Sequence, residues 1–63
     1  MYYSDGTAAH PGDLCTNGAL RGILINIDQG SGLALFVYGR PNADGYVDLA
    51  LTTITVAQFR KAV

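Results

Sequence analysis

The chain contains no glutamate and no tryptophan, and Lys61 is its only lysine. Charged residues make up 14 % of 63 positions, which is low for a soluble monomer. Long helices with exposed charged faces are excluded by this shortage together with the abundance of glycine and β-branched residues. Cys15 is the single cysteine, so no disulfide can form within one chain, and an oxidising secreted scaffold is not expected. The formal net charge of −1 comes with no local cluster of Lys or Arg, which removes the field that drives sequence-independent nucleic-acid binding. No apolar run approaches the roughly 18 residues needed to cross a bilayer. Met1-Tyr2-Tyr3-Ser4-Asp5 has neither the basic start nor the apolar stretch of a signal peptide. These absences lead us to expect a cytoplasmic protein with no membrane or nucleic-acid partner.

What is present is apolar: 49 % of the residues are hydrophobic. One domain spanning 1–63 with one small core is expected, and a core of this size supplies only a few kcal/mol. Association into a homo-oligomer is the simplest further source of stability.

The chain is punctuated by turns. Tyr3-Ser4-Asp5-Gly6-Thr7 and His10-Pro11-Gly12-Asp13 carry turn chemistry. Leu14-Cys15-Thr16 is a candidate strand, and Asn17-Gly18 favours a type I′ turn after it. Ile23, Ile25 and Ile27 then alternate with Leu24, Asn26 and Asp28 at the two-residue period of a strand. Gln29-Gly30-Ser31-Gly32 breaks that run. Leu33, Leu35 and Val37 alternate with Ala34, Phe36 and Tyr38, and Gly39 to Gly45 reads as a loop. Val47, Leu49 and Leu51 alternate with Tyr46, Asp48, Ala50 and Thr52. The last segment, Thr53 to Val63, predicts a short strand and then a helical turn capped by Thr55, with Phe59 packing back and Arg60 and Lys61 at the helix C-terminus. The fold class that follows is all-β or mainly β: a small SH3-like barrel or rolled antiparallel meander with a short C-terminal helical turn.

Pairing Ile27 with Leu33 and Val37 with Val47 stacks three aliphatic rows, Ile23–Val37–Val47, Ile25–Leu35–Leu49 and Ile27–Leu33–Leu51, on one side of the sheet. Those nine residues are the expected core. The opposite face then carries Gly22–Tyr38–Tyr46, Leu24–Phe36–Asp48 and Asn26–Ala34–Ala50, although a meander with one buried face should be polar there. Three readings stay open. The terminal segments cover this face as a second small core, or it is a subunit interface, or it binds a ligand directly. In the last case Tyr38 and Tyr46 stack on a planar ring while Arg21 and Arg40 meet a phosphate or carboxylate. The candidate binding residues are therefore Arg21, Phe36, Tyr38, Arg40 and Tyr46.

Little else in the sequence carries chemistry. His10 lies near Asp5 and Asp13, but no HxH, HExxH or CxxC spacing accompanies it, and neither a metal nor another cofactor is expected. Cys15 has no basic neighbour in sequence to activate it and reads as a buried thiol. Ser4 and Ser31 lie in turns, and Gly30-Ser31-Gly32 is too sparse for a phosphate loop. Asp28, Asp44 and Asp48 lack a pocket to raise a carboxyl pKa, so an active site would have to form at a subunit junction. No catalytic residue is assigned.

Tyr3-Ser4-Asp5-Gly6-Thr7-Ala8-Ala9-His10-Pro11-Gly12-Asp13-Leu14 resembles the start of short bacterial and prophage proteins with a Tyr-x-Asp-Gly-Thr…Gly-Asp pattern. The likeness covers about the first quarter of the chain. It implies an SH3-like barrel and a small accessory protein, in some cases with an immunity, inhibitor or counter-defence role. The chain is also similar in size and barrel type to the plasmid-borne type II dihydrofolate reductases, which build one active site from four chains, but their Val-Gln-Ile-Tyr run is missing. The functional expectation is a non-enzymatic, oligomeric binding protein that occludes a protein partner or sequesters a small nucleotide-like anionic ligand. The alternatives are an oligomeric small-barrel enzyme with a shared pocket and a structural phage or bacterial subunit.

Overall fold

Alternation at period two gives strands wherever it was read, and their pairing decides which side each residue faces. A computed structural model describes residues 1–62. It contains β1 (Leu14–Thr16), β2 (Arg21–Asp28), β3 (Leu33–Pro41), β4 (Val47–Thr55), a single 3-10 turn over Val56–Gln58, and β5 (Arg60–Lys61). The protein is mainly β. All five strands are antiparallel neighbours in one sheet of order β4-β3-β2-β1-β5, a meander whose last strand returns beside β1. The helical turn expected near the C-terminus is this 3-10 turn. Thr55 makes no side-chain cap, and Arg60 and Lys61 lie in β5 instead of at a helix end.

The loops differ from expectation in ways that move residues. Between β1 and β2 the chain takes four residues, Asn17 to Leu20, instead of a two-residue type I′ turn. A type I′ turn needs positive φ at both central positions, and among the described residues no non-glycine has one. The Asn17 side chain accepts from the amides of Ala19 and Leu20 instead, at 2.9 and 2.7 Å. At the next hairpin β3 runs on through Gly39, Arg40 and Pro41, where the composition predicts a loop. The turn is reduced to Ala43-Asp44-Gly45, with Asn42 N–H donating to the Tyr46 carbonyl at 2.8 Å. Gly45 takes φ 82°, as a three-residue hairpin requires at its closing position. Val37 therefore stands opposite Leu51, four residues from the expected Val47. β3 pairs with β2 no further out than Tyr38, opposite Gly22, so the hairpin projects beyond the sheet as a two-stranded ribbon. A radius of gyration of 11.8 Å, against about 10.6 Å for a compact chain of this length, reflects that projection.

The core is on the other side from the one the aliphatic rows suggest. Leu24 and Phe36 are fully buried, and Tyr3, Cys15, Ala34, Ile54, Val56 and Phe59 complete the cluster with them. Of the nine residues expected inside, Ile23, Ile25, Leu33, Leu35, Val47, Leu49 and Leu51 are exposed, up to 80 % at Leu49. The physical reason is what each face meets. The N-terminal arm, the 3-10 turn and Phe59 all fold over the Leu24–Phe36 side, and no segment among the described residues crosses the aliphatic side. Ile27 alone of that set turns inward. A bulge at Ile25 sets Asn26 opposite Leu35 and Ile27 opposite Ala34, which reverses the alternation beyond it.

The arm is built by the opening signature. Asp5 Oδ1 accepts from Thr7 N–H at 3.0 Å and Gly6 turns the chain, so Tyr2 bridges Ala8 and Tyr3 points into the core. Tyr3 Oη donates to Asp13 Oδ2 at 2.8 Å, and the same oxygen accepts from His10 N–H at 2.9 Å. The Ser4 amide donates to the Phe59 carbonyl at 2.8 Å, which ties the arm to the tail.

Candidate functional site

The five candidate residues do not form one site. Phe36 is 0 % exposed, stacked on Tyr38 with ring centroids 5.9 Å apart and tilted against Phe59 at 5.1 Å. It cannot touch a ligand or partner, and its place in the candidate set is corrected: the chain's own tail covers it. Tyr38 is half-buried against the same core. Arg40 and Tyr46 follow on the same side of the projecting ribbon, Arg40 opposite Asp48 and Tyr46 at the turn, 73 % exposed. Tyr38 stands opposite Ala50, so the expected Gly22–Tyr38–Tyr46 row is interrupted. Arg21 alternates with the buried Gly22 and points to the opposite face with Ile23. Among the described residues, Arg21 and Arg40 do not flank one aromatic ring together.

The surface sequence reasoning assigned to the interior is the larger feature. Ile23, Ile25, Leu33, Leu35, Leu49 and Leu51 share one side of the sheet, with half-buried Val37 at its centre and Val47 at the ribbon end. At about 60 to 120 Å² per aliphatic side chain and the exposures observed, this side presents on the order of 400 Å² of aliphatic surface. That is as large as the largest patch of an ordinary monomer. Charge is scarce on it. Arg21 and, across β1 from it, Arg60 lie at one margin and Asp28 at another.

Asp28 borders a shallow open groove of about 230 Å³ on this same side, lined by Asn26, Asp28, Ser31, Leu33, Leu35 and Thr53 among others. The bulge places Asn26 there. Asp28 is occupied by its own turn, accepting from Gly30 N–H at 3.1 Å and from Ser31 Oγ at 3.1 Å.

The ionisable groups serve the fold. Asp13 is held below the usual carboxylate range, chiefly by the His10 amide, with help from the Tyr3 hydroxyl and from Lys61 at 4.0 Å. Asp5 is lowered by its bond from the Thr7 amide. Burial, reinforced by Asp13, raises the Tyr3 hydroxyl. Burial also pushes the Cys15 thiol up, and Cys15 is fully enclosed, so the thiolate that nucleophilic or metal chemistry needs is disfavoured. Among the described residues no three His, Cys, Asp or Glu side chains gather as a metal site would require, and no helix is long and apolar enough to cross a membrane.

No protein-family model matches the chain, and no curated protein or solved structure matches it. The signal for the aliphatic face was present in the sequence as nine alternating side chains. What hid its exposure was the destination of the arm and the tail, which alternation does not report.

Proposed function

We propose that this protein is a non-enzymatic binding module that works by burying the bare aliphatic face of its sheet against a protein. The observation that carries the reading is the exposure of Ile23, Ile25, Leu33, Leu35, Leu49 and Leu51 on one side whose charges, Arg21, Arg60 and Asp28, lie at its margins. Contiguous apolar surface of this extent is characteristic of protein contact, and depletion of charge marks the centre of such contacts. Sequestration of a nucleotide-like anion is the weaker reading, because Arg21 and Arg40 point to opposite faces and Phe36 is enclosed. The likeness of the opening signature to short bacterial and prophage proteins supports reading the module as an accessory factor that occludes a partner.

Photo-cross-linking tests this in cells that make the protein. A photoreactive side chain at Ile25 or Leu35 is expected to give adducts of protein mass, and one at Asp5 or Asp44 is not. Thermal-shift screening covers the other reading, since a ligand that binds only the folded state raises the midpoint by mass action. A nucleotide-dependent rise that Arg40→Ala removes and Leu35→Lys leaves in place overturns the proposal.

A further inference from the structure

The two edges of the sheet are treated differently. β5 is two residues long and carries Arg60 and Lys61, a short charged edge of the kind that resists pairing. β4 is nine residues long, Val47–Thr55, and its only charge is Asp48 near one end. It has no lysine, no proline and no bulge, and among the described residues only β3 pairs with it. Apart from Asp48 near its end, the protective devices are absent from the longer edge, where unpaired amides and carbonyls are most numerous.

The strand is also complementary to itself. An antiparallel copy centred on Leu51 matches all nine positions: Val47 with Thr55, Asp48 with Ile54, Leu49 with Thr53, Ala50 with Thr52, and Leu51 with the partner's Leu51. Odd positions meet odd positions, so residues that share the aliphatic side on one copy share it across the junction. The two Asp48 carboxylates stand six residues apart along the junction, about 20 Å, and do not oppose each other. A two-fold axis through Leu51 closes the assembly, as most homodimers require. A standard interface takes roughly 800 Å² from each partner, of which about 60 % is apolar. One copy's aliphatic face falls short of that apolar share, and two faces joined side by side exceed it.

We propose that β4 pairs with β4 of a second copy of this chain, antiparallel about Leu51, to form a ten-stranded sheet whose two aliphatic faces lie on the same side. The inference deepens the binding reading above by stating how the face becomes large enough to hold a partner, and the two can fail separately.

Light scattering across a concentration series measures the assembly directly, with a mass of twice 6.6 kDa expected for the protein. Leu51→Lys sets two ammonium groups against each other at the axis and is expected to return the mass to 6.6 kDa, while Ile25→Lys, on the face but away from the edge, leaves it doubled. Register is read by oxidation. Leu51→Cys places two cysteines about 4.5 to 5.5 Å apart between Cα atoms, within disulfide reach, so a covalent dimer is expected. Val47→Cys leaves them about 27 Å apart and is expected to give none. Cys15 is buried and does not compete. A protein that stays at the monomer mass, a dimer that Ile25→Lys splits and Leu51→Lys does not, or equal cross-linking from positions 47 and 51 overturns the pairing. A monomer whose β4 accepts a foreign extended peptide also overturns it. If such a monomer still cross-links to protein from Ile25, only the edge pairing is lost.

Discussion

Gly22 shows how one residue fixes the inner side of the sheet. A Cβ at this position would collide with the Val37 carbonyl oxygen and stand 2.8 Å from Phe36 Cζ. Backbone cannot yield as a side-chain tip can, so Gly22→Ala is expected to cost about 2 kcal/mol or more, read as a lower urea midpoint at unchanged slope. Gly39→Ala is the control, because its Cβ meets only Val47 Cγ1, the tip of an exposed side chain that can turn away. Equal losses at both positions would mean that the Val37 carbonyl and Phe36 do not close over Gly22. The sequence already showed Gly22 opposite Tyr38 and Leu24 opposite Phe36, and both pairings hold. Of the three readings open for the aromatic face, cover by the chain's own terminal segments is the one found: Phe36, at its centre, is covered by Phe59 from 23 residues further on.

At the scale of elements, strand existence was legible and strand ends were not. Alternation located β2, β3 and β4, since a period of two survives whichever face is buried. The bulge at Ile25 was invisible because Ile25 and Ile27 continue the aliphatic pattern across it. β4 slid by four residues because Gly39-Arg40-Pro41 looks like loop composition, although Pro41 is tolerated on a ribbon that β2 does not reach. The Tyr3–Asp13 bond is likewise hidden in the sequence: both residues belong to the opening signature, yet each falls in its own turn. Asp13 joins the arm to β5 through Tyr3 and Lys61. Its folded pKa is depressed, so its contribution is fully present above the unfolded value of about 4 and is lost as pH falls through the folded value. Urea midpoints are therefore expected to fall on acidification below about pH 4. Asp13→Asn should be less stable at neutral pH and show a shallower acid decline, with the remaining slope due in part to Asp5. An unchanged acid decline in that variant would remove Asp13 from this role.

The whole molecule sets a small aromatic core on one side of its sheet and leaves the aliphatic side bare. A chain of this size gains little from its own core, and surface that its own segments do not cover is available to stabilise it through another chain. Folding thus draws on one side of these three strands, and the proposed binding uses the other. Leu35 and Phe36 are adjacent in β3 and face opposite ways, 38 % and 0 % exposed, so the urea midpoints of Leu35→Asn and Phe36→Asn measure the sidedness directly. Phe36→Asn is expected to lose about 3 to 5 kcal/mol or to leave the chain unfolded, because it removes a core ring and buries an amide. Leu35→Asn is expected to remain folded within about 1 kcal/mol of the parent. The reverse order, with Leu35→Asn unfolding the chain and Phe36→Asn tolerated, would put the core on the aliphatic side and contradict the account.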